Sequence, residues 1–133
     1  MTECLLDTHV LLWSLFAPEK LSRATLDVLT DGSHPVFVSS VSLWEISLKY
    51  ALGKLHLEGC GPAGIVDAAR KTGFVILPLL AAEAGTFHRL PRMAHKDPFD
   101  RMLIHQAICR DMTLVSRDGD FGEYRQHGLK LLW

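Results

Sequence analysis

The chain has 133 residues, enough for one ordinary domain with a real core and too short for two comfortable ones. A formal net charge of −1 excludes a globally basic nucleic-acid surface, so any contact with a polyanion must come from local cations or bound metal. With 48% hydrophobic residues and a mean hydropathy of +0.15, a chain this small is expected to hide part of its apolar surface against a partner or a second copy.

The elements follow in chain order. Residues 3–7 read as a buried strand, and Thr8 to Phe16 as a helix whose Leu11, Leu12, Leu15 and Phe16 form a broad apolar face that Pro18 ends. Ser22 caps a second helix to about Leu29, Asp31-Gly32-Ser33 turns the chain, and Val36 to Val38 is the next strand. A third helix spans Ser42 to Leu52 and stops at Gly53. The loop Gly59 to Gly64 leads into a helix near Ile65 to Lys71, and Phe74 to Leu77 is a third strand. Leu80 to Leu90 reads as a helix, and Pro91 to Lys96 as an irregular basic segment. Asp97-Pro98 then gives the clearest helix start, with Asp97 as cap and Pro98 at the first helical position of a helix reaching Arg110. Thr113 to Ser116 is a fourth strand, Asp118 to Gln126 a turn and short helix, and Leu129 to Trp133 a fifth strand. Strands separated by helices predict the α/β class, a parallel sheet with helices on both faces. Periodicity leaves the strand order open.

Three cysteines without Cys-x-x-Cys spacing argue against a disulfide framework and a zinc knuckle, and fit a reducing cytoplasm. Met-Thr-Glu carries an acid where an export signal would be basic, and no apolar run approaches membrane-spanning length, so an unexported protein with no membrane partner is expected.

Asp7, Glu45, Asp100 and Asp118 lie in four separate segments, each where an apolar stretch turns polar. Asp7 and Asp118 emerge at the carboxyl ends of two predicted strands, the edge of an open parallel sheet where ligands bind. Four gathered carboxylates would repel one another unless a cation neutralised them, and Mg²⁺ or Mn²⁺ suits oxygen ligands. Each acid also has an ordinary explanation. Glu45 follows Ser42 at capping-box spacing, Asp100 stands at the same offset from Asp97, and Asp118 precedes a turn glycine. The seven histidines show no metal-ligand spacing, and no Gly-x-Ser-x-Gly elbow, phosphate loop or dinucleotide fingerprint is present.

Leu5-Leu6-Asp7-Thr8-His9, Ser42-Leu43-Trp44-Glu45-Ile46, Asp97-Pro98-Phe99-Asp100-Arg101-Met102-Leu103-Ile104 and Val115-Ser116-Arg117-Asp118 occur in this order, with Ala51-Leu52-Gly53-Lys54-Leu55, Gly73-Phe74 and the terminal Leu131-Leu132-Trp133 among them. In these motifs the chain resembles a PIN-domain ribonuclease of the VapC toxin type, over nearly its whole length. The resemblance implies a single PIN-like domain over 1–133. It also implies a three-layer α/β/α fold with a five-stranded parallel sheet in the order 3-2-1-4-5, which would set Asp7 and Asp118 on neighbouring strands.

Carried across by motif, the resemblance implies a site of Asp7, Glu45, Asp100 and Asp118 holding Mg²⁺ or Mn²⁺, with Ser116 in support and Asp97 either an outer acid or, as favoured, the cap. Arg89, Arg92, His95, Lys96, Arg101 and Arg117 are candidate phosphate contacts, because an acidic centre needs flanking cations to admit RNA. The implied activity is a metal-dependent endoribonuclease, toxic to its own cell and neutralised by a cognate antitoxin, with a homodimer expected. Its alternatives are a DNA-directed or housekeeping nuclease with the same site, and a non-enzymatic receiver-like switch. The third helix, apolar around most of its circumference, and the first helix around Trp13 are the expected interface with a second copy or the antitoxin.

Overall fold

The structure, a computed structural model, describes residues 3–133; Met1 and Thr2, on which part of the expectation of an unexported chain rests, lie outside the described residues. Five short strands form one parallel sheet: β1 (Cys4–Leu6), β2 (Val36–Ser39), β3 (Val75–Leu77), β4 (Thr113–Val115) and β5 (Lys130–Leu132). Their order is β3-β2-β1-β4-β5. From β1 the chain continues to β2 on one side, while β4 lies on the other. The switch point between β1 and β4 is where a ligand crevice opens in such sheets.

Six α-helices cross between the strands: α1 (Thr8–Phe16), α2 (Arg23–Asp31), α3 (Ser40–Ala51), α4 (Pro62–Thr72), α5 (Ala81–Thr86) and α6 (Pro98–Arg110). Alternate strand residues face opposite ways, so the sheet divides the core in two. Cys4, Leu6, Val36, Val38 and Val115 pack with Val10 and Leu11 of α1, Ile46 of α3, and Ile65 and Ala69 of α4. Leu5, Leu77 and Leu114 pack on the other face with Leu103, Ile104 and Ala107 of α6, and with Phe121 and Tyr124. The three-layer arrangement expected from the resemblance is thus present.

Element boundaries depart from the sequence reading where several residues compete to cap. α3 begins at Ser40 because the Ser39 hydroxyl accepts the Val41 N–H at 3.0 Å, which moves Ser42 and Glu45 into the helix interior. The capping-box explanation of Glu45 is therefore removed. Pro62 at the first helical position starts α4 three residues before Ile65, and α2 runs two residues past Leu29 before Gly32 closes it in a left-handed conformation. The expected helix from Leu80 to Leu90 is shorter, α5 tightening at Phe87–Arg89 into a 3₁₀ turn, and Gly119–His127 is 3₁₀ throughout.

One buried polar chain ties three elements together. The Ser39 hydroxyl donates to Gln106 Oε1 at 2.6 Å, Gln106 Nε2 donates to Glu83 Oε1 at 3.1 Å, and Arg110 Nε donates to Glu83 Oε2 at 2.6 Å. Burial alone would raise the Glu83 pKa, but the Arg110 guanidinium, the Leu80 N–H and the Gln106 amide together hold it below the ordinary glutamate value. This network fixes the N-terminus of α3 against α6, and those two helices carry Glu45 and Asp100. Among the described residues no helix is long and apolar enough to cross a membrane.

Candidate active site

The register Leu6↔Val115 between β1 and β4 sets Asp7 and Ser116 side by side at the carboxyl edge of the sheet. Asp7 stands at the N-cap position of α1, yet its side chain makes no capping bond. Instead Oδ2 accepts the Ser116 hydroxyl at 2.8 Å, while Oδ1 is buried with no hydrogen-bond partner among the described residues. Leaving a carboxylate oxygen dry and unpaired is expensive. Burial accordingly raises the Asp7 pKa; the Ser116 hydroxyl, His9 and the backbone N–H of Thr8 oppose this, and the Glu45 charge adds to it.

Ser116 serves a second acid as well, its Oγ accepting the Asp118 N–H at 3.1 Å. One hydroxyl thereby sets the spacing of Asp7 and Asp118. Asp118 Oδ1 accepts the Asp120 N–H at 2.9 Å and starts the 3₁₀ segment, so the turn explanation of this acid holds for one of its oxygens.

Asp100 enters from the first turn of α6, which Asp97 caps by accepting the N–H groups of Phe99 at 2.9 Å and Asp100 at 3.0 Å. Asp97 thus takes the cap role, and its capping oxygen is spent on the helix. The Asp100 carboxylate is free to face inward, where its Oδ2 lies 2.7 Å from His95 Nε2. Desolvation is the largest cause that pushes the Asp100 pKa up to about 6, with repulsion from Asp7, Asp97 and Glu45 adding to it and the His95 hydrogen bond opposing. The imidazole responds in kind: burial lowers the His95 pKa, but the hydrogen bond and charge of Asp100, then Asp118 and Asp97, outweigh it and raise the value.

Glu45, on α3, is buried at 3% exposure. Its Oε1 accepts the Thr8 hydroxyl at 2.7 Å and its Oε2 pairs with Lys49 one turn on, an (i, i+4) ion pair. Asp7, Asp100 and Asp118 line one open cleft of about 360 Å³ together with His9, Trp13 and Arg117. Glu45 is not part of that lining but is close enough for its charge to act on both Asp7 and Asp100.

The candidate cations fall into two groups. Arg89, Arg92, Lys96 and Arg117 are exposed. Arg92 and Lys96 line a neighbouring depression with His95 and Arg101, and the Arg117 guanidinium lies 5.9 Å from the Trp13 ring centroid. Arg101 is engaged in the fold: it donates to the carbonyls of Leu90 at 3.2 Å and Pro91 at 3.3 Å and packs over the Phe87 ring. It secures the basic segment to α6.

Sequence reasoning missed the placement of His95, which it read only as a phosphate contact. Ligand spacing along the chain gave no signal, because the fold brings the imidazole to Asp100 and Asp118 through a loop return. Trp13, expected at an interface, forms a cleft wall against Trp133 with ring centroids 6.0 Å apart. The donor set fits a hard divalent cation: three carboxylates on one cleft, one of them with a buried oxygen that has no hydrogen-bond partner among the described residues.

Residues 4–126 match the PIN domain family. The chain is 27% identical over 134 residues, spanning all of both chains, to ribonuclease VapC22 of Mycobacterium tuberculosis. Its fold is similar to a chain in the crystal structure of VapBC2 from Rickettsia felis bound to a DNA fragment of the promoter, with a TM-score of 0.70, 16% identity and 98% of each chain covered. It is also similar to a chain of the DNA-bound VapBC from Salmonella typhimurium, with a TM-score of 0.66, 16% identity and coverage of 99% of this chain and 98% of that one.

Proposed function

We propose, from the premise that this chain belongs to the PIN domain family, that it is a metal-dependent endoribonuclease and the toxin of a toxin–antitoxin pair. The observation that carries the catalytic reading is the convergence of Asp7, Asp100 and Asp118 on one cleft at the switch point of the sheet, over an Asp7 oxygen left without a partner. Similarity to a protein named as a ribonuclease and to folds solved as VapBC complexes supports the choice of RNA and of an antitoxin.

Asp7, Asp100 and Asp118 would hold Mg²⁺ or Mn²⁺, with Glu45 completing the charge around them. Such a cation, when bound, polarises a phosphoryl oxygen, lowers the pKa of water and stabilises the leaving oxygen. The chain's own residues prepare that chemistry. Ser116 fixes Asp7 against Asp118, and Asp97 fixes the first turn of α6 so that Asp100 faces the cleft. Thr8 and Lys49 each engage one oxygen of Glu45 and so fix the orientation of its carboxyl group. Arg117, Arg92 and Lys96 offset the acidic centre toward an incoming phosphate backbone, with Arg89 in the 3₁₀ turn that precedes the basic segment and Arg101 as that segment's anchor. The Trp13 face beside Arg117 offers a surface on which a base can stack.

The residues of the whole chain act as one catalytic unit in this reading, in the cytoplasm, where the free thiols of Cys4, Cys60 and Cys109 stay reduced. Trp44 and Leu48 of α3 and Leu52 at its C-cap recur every fourth residue and are exposed, Trp44 at 62%. That stripe is the surface we assign to the homodimer or the antitoxin. Incubating the purified protein with total cellular RNA tests the activity. Cleavage should require Mg²⁺ or Mn²⁺ and disappear in Asp7→Asn, whose fold is retained; cleavage undiminished in that variant refutes the site.

A further inference from the structure

We propose that His95 is itself a ligand of the cation and makes the centre prefer a divalent transition ion, with Mn²⁺ as its probe, over Mg²⁺. This deepens the reading above and rests on it. A ring nitrogen of His95 and one carboxylate oxygen each from Asp100 and Asp118 lie within 4.8 Å of one another, and among the described residues no other trio of His, Cys, Asp or Glu is so placed. Donors at right angles on a cation bonded at about 2.1 Å sit about 3 Å apart, and opposed donors about 4.2 Å apart. The 2.7 Å between His95 Nε2 and Asp100 Oδ2 needs only a slight opening to reach the first of these distances.

The imidazole is held in place for this. Its side chain is 16% exposed, and its ring stands edge-on to the fully buried Phe121 with centroids 5.2 Å apart. Swinging out to meet a phosphate would abandon that packing, whereas ligation keeps it and only exchanges the proton shared by Nε2 and Asp100 Oδ2 for the cation, the proton leaving to solvent; Arg92 and Lys96 are already exposed beside it for phosphate. A second, independent feature points at a cation in the same cleft: the buried Asp7 Oδ1 has no hydrogen-bond partner among the described residues. Asp7 shares that cleft with Asp100 and Asp118.

The chemical consequence is selectivity. Mg²⁺ demands oxygen ligands and dehydrates reluctantly, whereas a nitrogen donor strengthens binding along the first transition row. Loss of a partner that merely orients a ligand commonly weakens a metal site ten- to a hundredfold, on the order of 1.4 to 2.7 kcal/mol, and loss of the ligand itself should cost no less. Removing His95 should therefore weaken Mn²⁺ binding about tenfold or more and leave Mg²⁺ binding within about threefold.

The test combines titration with pulsed electron paramagnetic resonance on the Mn²⁺-loaded protein. The wild type should bind Mn²⁺ more tightly than Mg²⁺ and show nitrogen-14 modulation from a directly bound imidazole. His95→Gln, which keeps a donor toward Asp100 but no ring nitrogen, should lose both the modulation and the preference. Mn²⁺ bound without nitrogen modulation in the wild type overturns the proposal and leaves the carboxylate site standing. Modulation that persists in His95→Gln assigns the nitrogen to His9, which lines the same cleft, and also overturns it. Failure of the wild type to bind either ion overturns the catalytic reading and this inference together. The wild-type spectrum decides even if the variant folds poorly.

Discussion

Replacing Asp100 by Asn should stabilise the metal-free protein at neutral pH while removing its activity. The folded chain holds this carboxyl at about 6, against 3.8 for an ordinary aspartate, chiefly because burial strips water from the anion. At about 1.4 kcal/mol per pH unit, the ionised form is disfavoured in the fold by about 3 kcal/mol. The side chain is 19% exposed, so screening brings the expected gain for Asn to about 1–3 kcal/mol. Between 3.8 and about 6 the folded chain keeps a proton that the unfolded chain has lost, so wild-type stability falls as pH rises through that window and then levels off. The variant lacks this loss. Urea denaturation in EDTA should show it more stable than wild type at pH 7.5 by roughly 0.5–2 M in midpoint, with the gap narrowing toward pH 4.5. Adding Mn²⁺ or Mg²⁺ at about a hundred times Kd should stabilise the wild type by about 2.7 kcal/mol and the variant far less. A variant less stable than wild type at pH 7.5 in EDTA, or a gap that ignores pH, would refute the electrostatic argument.

Asp97→Asn should retain cleavage within about threefold, because Asn caps as well as Asp; activity lost as fully as in Asp7→Asn would make Asp97 a ligand. Glu83→Gln should cost about 1–3 kcal/mol at pH 7, since it leaves Arg110 without its charge partner. Because the folded Glu83 pKa is lowered, its stabilisation is present above the unfolded value near 4.5 and is lost as pH falls through the folded value, so the two unfolding curves should converge in acid. Trp44→Asp should abolish dimer formation or antitoxin capture, measured by sedimentation, and leave RNA cleavage by the free protein intact; unchanged assembly would move the interface off α3.

The strand ends were the legible part of this site. Asp7 and Asp118 terminate apolar runs, and a parallel sheet delivers such ends to one edge whatever the loops do. The order of the strands came from the family likeness, since periodicity carries no information on which strands neighbour. Glu45 was ambiguous because Ser39, Ser40 and Ser42 all precede it and each can cap; only the Ser39 bond to Val41 decides that Glu45 lies inside α3. Asp97-Pro98 was unambiguous, as Pro tolerates the first helical position and Asp the cap, and α6 starts there. His95 was invisible as a neighbour of Asp118 because 23 residues separate them in the chain, and they meet only through tertiary contacts: Phe121 against the His95 ring, Arg101 on the Leu90 and Pro91 carbonyls, and His95 on Asp100.

Whether a carboxylate-held cation or histidine acid–base chemistry cuts the RNA is reported most directly by the ends of the cut. Products of total RNA cleavage should carry a 5′-phosphate and a 3′-hydroxyl, form only with Mg²⁺ or Mn²⁺ and vanish in EDTA, with the ribose 2′-hydroxyl dispensable at the cleaved position. Ends bearing a 2′,3′-cyclic phosphate that still form in EDTA would contradict the account.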